Sequence, residues 1–185
     1  MDTSMDTSNT KIPETAQVAT LAGGCFWCIE SQFDNLDGVF QAVSGYAGGT
    51  EENATYNKVS SGTTDHFEAV QIHYDPEVLT FNEVLDIFFR SIDPTDEGGQ
   101  FADRGPQYRT AIFYHNEEQK QQAESYIKEL EPKFEKPIAT KILPHTTFFP
   151  AEEEHQNYAQ KRLEQYKNYY EGSGRKDYVE ETWGQ

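Results

Sequence analysis

The chain has two cysteines, and both lie in the stretch Gly23-Gly24-Cys25-Phe26-Trp27-Cys28. A bridge across three positions closes too short a loop to constrain an unfolded chain, so the pair points to reactivity or a metal rather than to a structural framework. The glycines allow a sharp turn after a strand that ends at Ala22, and leave the backbone bare beside the first sulfur. A helix starting there puts Cys25 in its first turn, where free N–H groups and the helix dipole favour thiolate over thiol. Cys25 is therefore the expected nucleophile. Cys28, three residues on, projects from the same helical face as a second thiol.

Glu68 is the other residue with chemistry to offer. From Glu68 to Tyr74 the chain alternates, with Glu68, Val70, Ile72 and Tyr74 on one face and Ala69, Gln71 and His73 on the other. If the first face is the buried one, desolvation keeps a proton on the carboxyl near neutral pH. If Glu68 lies at a frayed strand end, it reaches solvent instead. A thiolate beside a proton-carrying acid suits attack on an atom that must shed an oxygen, whereas acyl transfer asks for a histidine base beside the sulfur. Three alternatives stay open for the cysteines: a zinc site completed by some of the five histidines, a thioredoxin-like redox pair, and inert thiols buried among aromatics.

Around these residues the pattern predicts mixed elements. A short strand covers Val18 to Ala22, a helix Cys25 to about Asn35, a strand Val39 to Ser44, and a glycine-rich loop Gly45 to Glu52. Thr80 and Glu83 have capping-box spacing ahead of Val84, Leu85, Phe88, Phe89 and Ile92. Residues 93–107 read as a loop and Tyr108 to Tyr114 as a strand. Asn116 caps a helix that buries Ala123, Tyr126, Ile127, Leu130 and Phe134, and Ile138 to Leu143 is a short strand. Beyond Pro150 one polar helix is expected, with Ala151, His155, Ala159, Leu163, Tyr166 and Tyr170 in a stripe. Half-polar strands among helices favour an α+β domain, a two-layer sandwich with a mixed or antiparallel sheet and a ferredoxin-like core, over a doubly wound parallel sheet.

With 185 residues the chain fits one domain, expected over residues 16–185. Residues 1–15 open with the repeat MDTSMDTS and are expected to be a disordered tail that holds both methionines, Met1 and Met5. The 32 acidic against 15 basic residues leave a formal charge of −17, which repels phosphate backbones and anionic membrane surfaces. No apolar run has the length of a membrane span or a signal segment, so a cytoplasmic protein is expected.

Six separated stretches are similar to the methionine sulfoxide reductase A family, from about Leu21 to Tyr158. They are Gly24-Cys25-Phe26-Trp27; Gly45-Tyr46-Ala47-Gly48-Gly49; Tyr56 with Ser61 to Glu68; Ile92-Asp93-Pro94-Thr95; Asp103 to Arg109; and Glu154-His155-Gln156-Asn157-Tyr158. The resemblance implies reduction of the S epimer of methionine sulfoxide, free or in oxidised proteins, with no bound cofactor and no metal. It implies that Cys25 attacks the sulfoxide sulfur, Glu68 protonates the oxygen, and Tyr56 and Tyr108 donate hydrogen bonds to it. Phe26 and Trp27 would enclose the ε-methyl group, and Asp103 would hold the substrate's backbone nitrogen. His155 receives no catalytic step. Turnover would leave a Cys25 sulfenic acid. Many members carry glycine where this chain has Cys28 and resolve with cysteines near the C-terminus. Here Cys28 is the only intramolecular candidate, ahead of reduction by thioredoxin, glutaredoxin or a small thiol.

Overall fold

A computed structural model of the chain describes residues 12–184, so most of the expected tail lies outside the described residues. Strand β1 (Gln17–Gly23) leads into helix α1 (Phe26–Phe33), and β2 (Val39–Ala47) into the short α2 (Tyr56–Ser60). Then come β3 (Phe67–Tyr74), α3 (Phe81–Phe89), the two-residue pair β4 (Gly99–Gln100) and β5 (Asp103–Arg104), and β6 (Thr110–Tyr114). Helix α4 (Glu117–Leu130), edge strands β7 (Lys141–Pro144) and β8 (Phe148–Pro150), and helices α5 (Tyr158–Lys161), α6 (Leu163–Gly172) and α7 (Arg175–Trp183) complete the order.

Six strands form one sheet in the order β7-β6-β1-β3-β2-β8. Strand β3 lies between β1 and β2, antiparallel to both, and β6 is antiparallel to β1. Only β6 and β7 run parallel, joined through α4. This is an α+β protein with a mixed sheet, and the doubly wound alternative is excluded.

Alternation decides the two faces. Leu21, Val70, Ile72 and Ile112 face α1 and α3, where Phe26, Ile29, Phe33, Val84, Leu85, Phe88 and Phe89 complete the main core. The other face carries Ala22, Ala47, Ala69 and Ala111 with Phe67 and Phe113. Those small side chains fit a sheet that curls toward them: the Phe67 and Phe113 rings meet at 5.4 Å across the intervening β1. The curl is demanded by chain length. A flat sheet would hold its edges roughly 24 Å apart, yet β7 and β8, the opposite edges, are separated in sequence by His145, Thr146 and Thr147, a reach of about 14 Å.

Several expectations need correction. The glycine-rich stretch after Ser44 continues β2 through Ala47, because Gly45 lets β8 approach: a Cβ there would stand 2.4 Å from the Phe149 carbonyl oxygen. Tyr108 lies in a 3-10 turn before β6, not in the strand. The single helix after Pro150 is instead a 3-10 turn, α5 and α6, broken where Asn157 adopts φ 53°, and Leu163 is 51% exposed rather than part of a buried stripe. The capping box stands as read: Thr80 Oγ1 accepts from Glu83 N–H, and the Glu83 carboxylate accepts from Thr80 N–H. Asn116 likewise caps α4 through Gln119 N–H. Replacing Thr80 by Ala should lower unfolding free energy by about 1 kcal/mol in urea titration, with no loss of folded structure.

Candidate active site

The sheet gathers the candidate residues at one end. Gly23, the last residue of β1, pairs with Thr110, so Tyr108 lies just before that level on the neighbouring strand's approach. On the other side Leu21 pairs with Val70, which sets Glu68, two residues earlier, at the level where β1 gives way to the turn. Tyr46 of β2 pairs with Glu68, and Tyr56 follows on α2. Gly24 makes the turn with φ 85°; a Cβ there would meet Gln100 at 2.6 Å and Arg175 at 2.9 Å, so both conformation and space require glycine. Cys25 occupies the N-cap of α1, one position before the first turn expected for it.

Phe26 N–H donates to Glu68 Oε1 at 3.2 Å, which ties the carboxyl to the residue next to Cys25. Glu68 is 2% exposed, on the buried face that alternation assigns, and the solvent-reaching alternative is excluded. Burial pushes its carboxyl up to about 8, against the opposing pull of the Phe26 amide, with the Asp103 charge adding to the rise and Tyr108 opposing it. The acid therefore holds its proton at neutral pH. Tyr56 is pushed up to about 12 and Tyr108 higher still, each first by burial and then by the Glu68 charge, so both phenols remain donors.

The sulfurs behave differently from the expectation. Burial, the neighbouring Cys28, Glu68 and Asp103 raise Cys25 well above an ordinary thiol, so it rests protonated. A helix terminus cannot offset desolvation among carboxyl groups when, as here, the Cys25 side chain makes no capping hydrogen bond. Cys28 moves the opposite way, lowered by the hydrogen bond with Cys25 and by the Arg175 charge. Both thiols are free and buried. Burial alone matches inert cysteine; a protonated acid hydrogen-bonded to the amide of the next residue does not. Among the described residues neither cysteine joins two further metal-ligating side chains, Glu152, Glu154 and His155 being the one such group, so the zinc alternative has no ligand set.

Aromatic rings make the wall. Phe26 is 1% exposed and lies between Tyr46 and Tyr56 at centroid distances of 5.9 and 6.4 Å. Trp27 stacks on Tyr158 at 3.9 Å, and its Nε1–H donates to His155 Nδ1 at 3.3 Å. His155 in turn stacks on Tyr56 at 4.3 Å. Asp103 is half-buried, its carboxyl raised by burial, and its Oδ2 has no partner.

Sequence reasoning assigned no role to four residues here. Glu152 accepts from Tyr46 O–H and from Tyr56 N–H, which fixes the start of α2. Glu30, buried and pushed up to about 7 by desolvation, accepts from Ser44 Oγ–H and Asn157 N–H, joining α1, β2 and the segment that carries His155. Tyr166 was visible as part of a tyrosine stripe and packs with the cysteines. Arg175 gave no signal in the sequence.

This arrangement places a buried, protonated acid beside a buried thiol and tyrosines on a curled α+β sheet, and the class of protein follows from the whole chain. The chain belongs to the peptide methionine sulfoxide reductase family, whose model matches residues 17–185. A peptide methionine sulfoxide reductase MsrA of Halalkalibacterium halodurans is 54% identical over 168 residues, 90% of this chain and 96% of that one. Mxr1 of Saccharomyces cerevisiae in reduced form has a TM-score of 0.78 at 36% identity, covering 82% of this chain and 88% of that one. Mxr1 in complex with Trx2 gives 0.58 at 28% identity, covering 83% and 91%.

A stability measurement checks the Glu68 environment. Its folded pKa lies above its unfolded one, so between about pH 5 and 8 the unfolded chain has lost a proton that the folded chain keeps, and this group makes stability fall as pH rises. Glu68→Gln should gain on wild type steadily across that window in urea denaturation. Parallel curves would contradict a buried, protonated carboxyl; Glu30 titrates in both proteins and cancels.

Proposed function

We propose that this chain reduces the S epimer of methionine sulfoxide, free or in oxidised proteins, to methionine. The observation that carries the reading is the Glu68 carboxyl, buried, protonated to about pH 8 and hydrogen-bonded to the amide beside Cys25. Glu68 protonates the sulfoxide oxygen while the Cys25 sulfur, shedding its proton, attacks the substrate sulfur. The oxygen passes to Cys25 as a sulfenic acid, and methionine leaves: one thiol is oxidised and one sulfoxide reduced. Tyr56 and Tyr108 donate to the oxygen as negative charge gathers on it, the role that fixed donors play in acyl-transfer sites. Phe26 and Trp27 take the methyl group, and the unpartnered oxygen of Asp103 takes the substrate's backbone N–H.

Epimer choice follows from that asymmetry. Hydroxyls on one side and aromatic rings on the other mean that exchanging oxygen and methyl leaves the oxygen unpaired against carbon. Cys28 then condenses with the sulfenic acid, giving a disulfide and water. Mxr1 forms a complex with Trx2, which favours thioredoxin as reductant here over glutaredoxin or a small thiol; no cofactor enters the scheme.

The expected single catalytic domain over residues 16–185 and the ferredoxin-like, two-layer description are part of this reading. They are supported by the β1-α1-β2-β3-α3-β6 order with β6-β1-β3-β2 adjacency. No helix among the described residues is long and apolar enough to cross a membrane. The −17 charge disfavours nucleic-acid and anionic-membrane partners, and a cytoplasmic location is part of the proposal.

Cys25→Ser should consume no sulfoxide, and Glu68→Gln should lose on the order of 100-fold in rate while still folding. Wild-type activity should fall above about pH 8 as Glu68 loses its proton. Turnover of the R epimer alone in a chirally resolved assay would refute the assignment. Mass spectrometry after one equivalent of substrate should find the Cys25–Cys28 bridge in wild type and a trapped sulfenic acid in Cys28→Ser.

A further inference from the structure

Arg175, the first residue of α7, is 1% exposed, yet no carboxylate pairs with it among the described residues. Its Nη1–H donates to the Ser91 carbonyl at 2.8 Å and its Nη2–H to the Gly23 carbonyl at 3.1 Å, while Nε is buried without a partner. The guanidinium lies over the Phe101 ring at 4.8 Å. Neutral carbonyls and a ring orient the cation but do not neutralise it; its charge is felt at the Asp103 carboxyl without a contacting ion pair, and a buried charge so placed is costly. Its Nη2, bonded to the Gly23 carbonyl and 2.9 Å from where a Cβ of Gly24 would stand, brings the positive charge under the turn that leads into the cysteine motif.

The groups facing Cys28 come from four elements besides its own. They are Cys25 beside it, Tyr166 and Tyr170 of α6, Asp103 of β5, Glu68 of β3, and Arg175 of α7. The Asp103 charge opposes a negative sulfur, Glu68 is protonated at neutral pH, and Arg175 is the cation that favours a thiolate. Tyr166 packs against the cysteines with its hydroxyl bonded to Ser31 Oγ.

We propose that Arg175 is a positioning residue for the second half of the cycle: its guanidinium holds the Gly23 carbonyl under the turn and supplies the positive field that stabilises the Cys28 thiolate. This rests on the reading of Cys28 as the resolving thiol. In that step the Cys28 thiolate attacks the Cys25 sulfenic sulfur, the S–S bond forms as the S–O bond breaks, and hydroxide leaves as water with the proton that ionisation of Cys28 released. The arrangement divides labour between two thiols three residues apart. The buried, protonated Cys25 waits for a substrate that brings its own proton acceptor, while Cys28 is ready to ionise as soon as the sulfenic acid exists.

The test separates charge from hydrogen bonding. Arg175→Gln keeps a donor for Gly23 and loses the charge, whereas Arg175→Lys keeps the charge. In a Cys25→Ser background, ultraviolet thiolate absorbance titrates Cys28 directly. The Arg175→Gln midpoint should rise by about one pH unit or more, a tenfold change in ionisation, and Arg175→Lys should return most of it. With Cys25 intact, rapid-quench formation of the Cys25–Cys28 disulfide near pH 7 should slow by about the same factor in Arg175→Gln and recover in Arg175→Lys. Coincident midpoints with a normal wild-type bridge overturn the role of Arg175 and leave Cys28 as resolver. A shifted midpoint with no bridge in wild type overturns the resolving reading, and the role of Arg175 with it. Should Arg175→Gln fail to fold, Arg175→Met removes the charge with a side chain of similar length: a Cys28 midpoint about one unit above wild type supports the proposal, and a midpoint at the wild-type value overturns it.

Discussion

The site depends on taking one carboxyl out of water. Glu68 loses its solvation because strand alternation turns it inward with Val70, Ile72 and Tyr74, and a single backbone amide, that of Phe26, is too little to restore the anion. Proton affinity at neutral pH is thus a consequence of β3's register, not of a special residue type. The same hydrogen bond fastens the acid to the residue that follows Cys25, so the turn and the acid keep their spacing as a unit. Removing water also raises the thiol of Cys25, so the nucleophile and the acid are held in the protonated state by one physical cause.

Chemistry then has to be gated by the substrate. In the proposed reaction a sulfoxide oxygen, a strong acceptor, enters among Glu68, Tyr56 and Tyr108 and supplies what the resting site lacks, a place for protons to go. Desolvation also strengthens every hydrogen bond to a developing oxyanion. Glu152 and Glu30 do related work at a distance. One fixes the approach of Tyr56, and the other joins α1 to Ser44 and Asn157, so the aromatic wall is braced from both β2 and the segment after β8.

Much of this was legible in the residues. Glu68 could be found because a period of two is strict, and the Thr80 and Asn116 caps because a cap needs a particular side chain at a particular offset. Gly45 misled because glycine signals both turns and close approach, and only the partner strand distinguishes them. The tyrosine stripe after Pro150 misled for another reason: a left-handed residue at Asn157 breaks the helical phase, which tyrosine spacing does not report. The resting state of Cys25 was misjudged because a helix terminus can be read from sequence while the carboxyl groups folded against it cannot. Arg175 stands alone in a polar, weakly amphipathic helix, and nothing near it in sequence marks its burial; Trp183, held between Arg90 and Lys133, anchors the far end of that helix.

The three-residue link from β7 to β8 has a consequence beyond the curl it imposes. An open sheet offers two rows of unpaired amide and carbonyl groups to any passing strand, and those rows nucleate intermolecular pairing. Here both borders are short, each ends in a proline, Pro144 or Pro150, and a single hairpin-length tether draws them toward one another. The sheet therefore presents little edge for any exposed strand to extend.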